Sequence, residues 1–165
     1  MRRKPSNTAG AIFLAAGLAL SAASFAAPAH KHDAHADHAA PATLQLNAGK
    51  KWATDEALRK SMDSIRQSIE GSLHQIHENR LTPAGYGTLA RKVDAEVGYI
   101  VSNCKLEPRA DAQLHLIIAD LIAGSEKMAG KVKNAKRQDG AVKVIGALEN
   151  YAAYFDHPQF KPVAH

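Results

Sequence analysis

The stretch TDEALRKSMDSIRQSIEGSLHQIHEN, residues 54–79, sets Leu58, Met62, Ile65, Ile69, Leu73 and Ile76 at three- and four-residue steps. An α-helix turns about 100° per residue, so these six side chains form one apolar stripe and the charged residues between them face away from it. The spacing predicts an amphipathic helix from about Thr54 to Asn79. Thr54 or Asp55 is the expected N-cap, and Asp55 and Glu56 suit a first turn where the helix dipole is positive.

Three further stripes follow. The second starts at LTPAG, with Thr82 as N-cap and Pro83 at the first helical position, and carries Tyr86, Leu89, Ala90, Val93, Val97, Ile100 and Cys104. The third starts at EPRAD and carries Ala110, Leu114, Ile117, Ile118, Leu121 and Met128. The fourth runs from about Asp139 to Phe155 through Ala141, Val144, Ile145, Leu148, Tyr151 and Ala152, and stops at Pro158. The connections are short: Arg80–Leu81, Lys105–Glu107 and the basic loop GKVKNAKRQDG. Short loops make successive helices antiparallel neighbours. The expected fold is all-α, an up-down-up-down four-helix bundle over residues 46–158, with 159–165 as a C-terminal tail. No strand-like alternation competes.

The residues before the bundle read differently. Arg2, Arg3 and Lys4 precede an apolar run from Ala9 to about Leu20 and then small residues, the order of a secretory signal peptide over residues 1–26. The run is too short and too rich in Ala and Gly for a membrane span. An exported, periplasmic protein is expected. The chain has 21 Lys and Arg against 16 Asp and Glu; three of the basic residues belong to the signal, leaving 18 against 16. That balance gives no reason to expect nucleic-acid binding. The lone Cys104 excludes an internal disulfide.

Residues 27–45 hold almost no large apolar side chains and are expected to be a disordered linker. They include HKHDAHADH, which concentrates His30, His32, His35 and His38 with Asp33 and Asp37. Imidazole and carboxylate on a pliable chain can wrap copper, nickel or zinc. Cleavage after Ala29 instead of Ala26 would leave His30-Lys31-His32 at the N-terminus. A free amine, two deprotonated amides and a third-position imidazole then offer four nitrogens in a plane, a geometry for Cu(II) or Ni(II). Cleavage after Ala26 places Pro28 where an amide is needed.

Two further metal candidates lie on the helices. Glu70, His74 and His77 share a flank of the first helix away from its apolar stripe, where His at i and i+3 can chelate one ion. Met62, Cys104, His115 and His157 fall at one end of the expected bundle, a set of soft and imidazole donors suited to Cu(I) or haem iron. Enzyme signatures are missing. There is no P-loop, no dinucleotide fingerprint, no H-E-x-x-H and no G-x-S-x-G. A di-iron bundle needs Glu-x-x-His, whereas Glu70–His74 and Asp111–His115 are each one residue longer. No enzymatic activity is expected.

The segment LRKSMDSIRQSIE resembles the first helix of the small periplasmic b-type four-helix-bundle cytochromes. That resemblance implies Met62 and His157 as haem ligands. GKKWATDEALRKSMDSIR and NCKLEPRADAQLHLIIADLIAG resemble segments of an uncharacterised family of exported proteobacterial proteins, over most of residues 44–155. This second resemblance implies export and a four-helix bundle, and carries no activity. The expectations rank as a non-enzymatic transition-metal-binding protein first, a helical protein-interaction module without metal second, and a haem protein third. Leu116, off the apolar face of the third helix, favours the second.

Overall fold

The computed structural model describes residues 43–163. The segment read as a signal peptide, His30, His32, His35, His38 and the rest of the expected linker up to residue 42 lie outside the described residues, as do 164 and 165.

The described chain is helical throughout its regular structure: α1 (Glu56–Glu70), α2 (Leu73–His77), α3 (Pro83–Asn103), α4 (Pro108–Ala129) and α5 (Arg137–Tyr154). The caps follow from side-chain chemistry. Asp55 accepts the Leu58 N–H at 2.8 Å and Thr82 accepts the Gly85 N–H at 3.1 Å. Glu107 accepts the Arg109 N–H, and Gly130 ends α4 in the left-handed region at φ 77°, where a side chain would be strained.

The first predicted helix is two helices. The Ser72 N–H bonds Ile69 O, a tightened turn, and Ile76 N–H then bonds Ser72 O to restart the spiral. Gly71 and Ser72 are poor helix formers, so the break falls where propensity is weakest. Ile69 and Ile76 are both buried on either side of it.

Leu58, Met62, Ile65 and Ile69 of α1 face Val93, Val97 and Ile100 of α3, Leu114, Ile117 and Leu121 of α4, and Val144, Leu148 and Tyr151 of α5 in one core. α1 packs on α3 and α5, α3 on α4, and α4 on α5. α4 and α5 cross with their backbones in close approach. A Cβ on Gly140 would lie 2.5 Å from Gly124 O, and one on Gly124 would lie 2.8 Å from Gly140 O. Only hydrogen at both positions lets the two backbones touch. Buried Ser125 donates to Asp94 and ties α4 to α3.

The folded region extends past both boundaries read from the sequence. Gln45 N–H bonds Gln113 Oε1 at 2.7 Å, and Trp52 Nε1–H bonds Gln45 O at 2.6 Å. Trp52 is buried, with Arg109 5.5 Å over its ring. At the other terminus Phe160 and Val163 are buried, so residues 159–163 close the core and are not a tail. α5 ends at Tyr154, four residues short of Pro158, where Phe155 turns to extended backbone, and the chain folds back because two apolar side chains beyond Pro158 find cover.

Candidate functional site

Glu70 sits at the last position of α1 with its carboxylate 2.6 Å from the Arg66 guanidinium. His74 is on α2, past the break, and its Nε2 lies 3.0 Å from the Glu78 carboxylate, which Arg80 also contacts. His77 lines a groove of about 190 Å³ with Ile76, Gln138, Val142, Ile145, Gly146 and Glu149. The flank that united these three on a continuous helix is interrupted at Gly71–Ser72. Among the described residues no group of three or more His, Cys, Asp or Glu side chains is placed to hold a metal ion.

The second candidate set is also dispersed. Met62 is wholly buried in the core. His115 is exposed on α4, with Nδ1 2.8 Å from Asp111 O. Cys104 does not lie within the helix stripe; it caps α3, half-buried. Burial, together with the Asp55 and Asp111 carboxylates, pushes its thiol up to about 12. Thiolate is the nucleophilic and metal-binding form, and this environment holds Cys104 as the thiol near neutral pH.

What the chain does build at this end is a clasp around His157. Asp55 is its outer hinge: one carboxylate oxygen caps α1 and the other accepts the Lys105 N–H at 2.6 Å, joining the start of α1 to the end of α3. Burial acts to raise the Asp55 pKa, but the Lys105 and Leu58 N–H donors outweigh it and hold the carboxyl below its usual range. Trp52 N–H bonds Tyr154 O, and Asp156 N–H bonds Trp52 O, each at 2.8 Å. Inside this frame His157 Nδ1 lies 3.1 Å from the Tyr151 hydroxyl and Nε2 lies 3.5 Å from Asp63. With the ring proton assigned to Nε2, the Tyr151 O–H donates to Nδ1. Phe160 packs edge-on to Tyr151, and Arg66 stands 6.0 Å over the Phe160 ring.

The His157 side chain is only 6% exposed. Burial lowers its pKa from 6.5, against the opposing pull of Asp63, and burial raises that of Tyr151. At neutral pH the pair is a neutral imidazole and an un-ionised phenol. Such a pair fixes the geometry of the chain beyond the end of α5. Neither Tyr151 nor Asp63 announces this partnership in the sequence, because His157 reaches them from beyond the helix end.

The remaining surface offers shallow grooves. One of about 180 Å³ runs beside Asn47, Trp52, Lys105 and Glu107; another of about 430 Å³ lies between α1 and α3 beside Lys60, Tyr99 and Asn103. Comparison of the chain with protein-family models, curated proteins and solved structures finds no match.

Proposed function

We propose that the protein is an exported, non-enzymatic transition-metal-binding protein in which His30, His32, His35 and His38 take up copper, nickel or zinc. The helical domain, which we read as an up-down-up-down four-helix bundle, is the anchor of that segment. The observation that carries the reading is the sequence itself: four of the nine histidines, with two aspartates, fall within nine residues. Three of the four histidines among the described residues, His74, His115 and His157, lie beside a protein partner, which leaves His77 as the other candidate in the domain.

Neutral imidazole binds metal and imidazolium does not, so uptake should fall as pH drops through about 6.5. Equilibrium dialysis of the mature protein with Cu(II) and with Zn(II) at pH 7.5 and pH 5 tests this. Replacing His30, His32, His35 and His38 together by Ala should abolish most of the uptake and leave the circular dichroism of the domain unchanged. Equal uptake by the variant and the parent would end the proposal.

A second reading, a metal-free interaction module, draws on Val101 and Val142, which are 69% and 59% exposed on α3 and α5. Protein purified from its source without bound metal on elemental analysis would favour it. A Soret band in the same preparation would favour the haem reading, which ranks third because both ring nitrogens of His157 already face protein groups.

A further inference from the structure

We propose that the turn between α4 and α5 docks the protein on an anionic phospholipid surface. Residues 43–163 carry 17 Lys and Arg against 14 Asp and Glu. Five of the 17 lie between Lys127 and Arg137, where there is no acid, which leaves 12 against 14 for the rest. The positive excess of the described domain is therefore confined to one turn.

The turn is held in shape from beneath. Gly130 N–H bonds Lys127 O and Lys131 N–H bonds Glu126 O, each at 2.9 Å. Ala135 N–H bonds Val132 O, with Asn134 in the left-handed region at φ 61°. Arg137 donates to Met128 O at 2.5 Å with its guanidinium packed over Gly130. Lys131, Val132, Lys133 and Asn134 project into solvent as a result.

Elsewhere four of the twelve Lys and Arg are ion-paired, Arg66 with Glu70, Arg80 with Glu78, Lys92 with Glu96 and Lys143 with Asp120, and the other eight are spread over the domain among its 14 acids. Lys127, Lys131, Lys133 and Lys136 have no ion-pair partner among the described residues. The chemistry of the turn selects its partner. Carboxylates on a folded protein are best met by the planar fork of arginine, and the one arginine here is turned inward. Single-stranded nucleic acid calls for aromatic platforms, and residues 127–137 contain none. Unpaired lysines are point charges on pliable stems, which suit a continuous field of phosphate groups. Val132, exposed between Lys131 and Lys133, adds the apolar contact that reaches below the headgroups.

The test is co-sedimentation of the mature protein at pH 7.5, with chelator present so that metal on the histidine segment cannot bridge to lipid. The vesicles are phosphatidylcholine alone, or phosphatidylcholine mixed with phosphatidylglycerol. Binding is expected only to the mixed vesicles and should weaken as salt is raised. A lysine near an anionic surface is worth about 1 kcal/mol, roughly fivefold in affinity, so the triple variant Lys131→Gln/Lys133→Gln/Lys136→Gln should bind roughly a hundredfold less tightly. Val132→Ser should weaken binding without altering its salt dependence. Lys50→Gln/Lys105→Gln/Lys161→Gln removes the same charge away from the turn and should bind like the parent. Equal losses in the two triple variants, no preference for the mixed vesicles, or capture by a soluble polyanion such as heparin in place of vesicles would each overturn the proposal.

Discussion

Two buried tyrosines mark opposite ends of the domain. Tyr151, near the end of α5, has its hydroxyl bonded to His157. Tyr86, in the first turn of α3, is also buried, though less deeply, and its hydroxyl has no hydrogen-bond partner among the described residues. The contrast extends to their surroundings. Around Tyr151 the chain is fastened by polar links between residues far apart in sequence: Thr54 to Asp156, Lys51 to Ala152, Asp55 to Lys105. Around the other end lie the short α2, a turn of unpaired lysines and Gln138, whose amide reaches Ile76 O at 2.8 Å. The directed bonds at one end join residues as much as 102 positions apart, whereas those at the other are mostly between near neighbours in sequence. Directed bonds add little net free energy each, but they penalise any arrangement that leaves them unmade.

The hardest way to break the contrast is to empty the closed end. Trp52→Ala should lower unfolding stability by about 4 kcal/mol, and Phe160→Ala by about 3 kcal/mol, in urea titrations followed by circular dichroism. A loss below about 0.5 kcal/mol for Phe160→Ala would return residues 159–163 to the status of a tail. Gly140→Ala probes the middle of the molecule, where the added methyl meets backbone. It should cost about 2 kcal/mol, although alanine is the better helix former.

The tyrosines themselves sharpen the comparison. Tyr151→Phe leaves His157 Nδ1 without its donor and should cost about 1–2 kcal/mol, whereas Tyr86→Phe removes a hydroxyl that has no partner and should be neutral or stabilising by up to about 1 kcal/mol. Equal losses for both would show that the Tyr151–His157 bond confers nothing.

The smallest expected effect is a pH dependence of the closed end. Because the native pKa of His157 lies below its unfolded value of 6.5, the unfolded chain takes up the proton more readily. The contribution of His157 is complete above about pH 6.5 and is lost as pH falls through the lowered native value. Urea midpoints between pH 7.5 and pH 5 should decline more steeply for the parent than for His157→Gln. Parallel declines would mean that His157 does not sense pH.

Helix positions were legible because caps and stripes are local signals. Asp55, Thr82, Pro83 and Pro108 stand where the helices begin, and nearly every residue of the four stripes is buried. The break at Gly71–Ser72 was hidden because Ile69, Leu73 and Ile76 keep the apolar step running across it. Trp52, Phe160 and Val163 were hidden for the opposite reason: they belong to no period, and their burial depends on partners far along the chain. Gly124 and Gly140 carry no side chain to mark a stripe, yet they form the contact between α4 and α5, which no single-chain periodicity encodes. The candidate site was less legible still. Spacing brought Glu70, His74 and His77 together on a projected helix, but Arg66 and Glu78, the partners actually engaged, compete for the same groups.

The long reach of the Trp52–His157 clasp sets an order of events in folding. Its links join residues 101 and 102 positions apart, as in Lys51 to Ala152 and Thr54 to Asp156. Bringing such distant points together carries a closure entropy that helix pairs joined by short loops do not face. The α3–α4 and α4–α5 hairpins can therefore assemble first, and the clasp closes on a domain already built. Contacts made after the transition state govern the rate of opening and leave the rate of folding nearly untouched. In stopped-flow experiments Trp52→Ala should accelerate unfolding while refolding keeps its parental rate, so the clasp serves as the latch on the domain's lifetime.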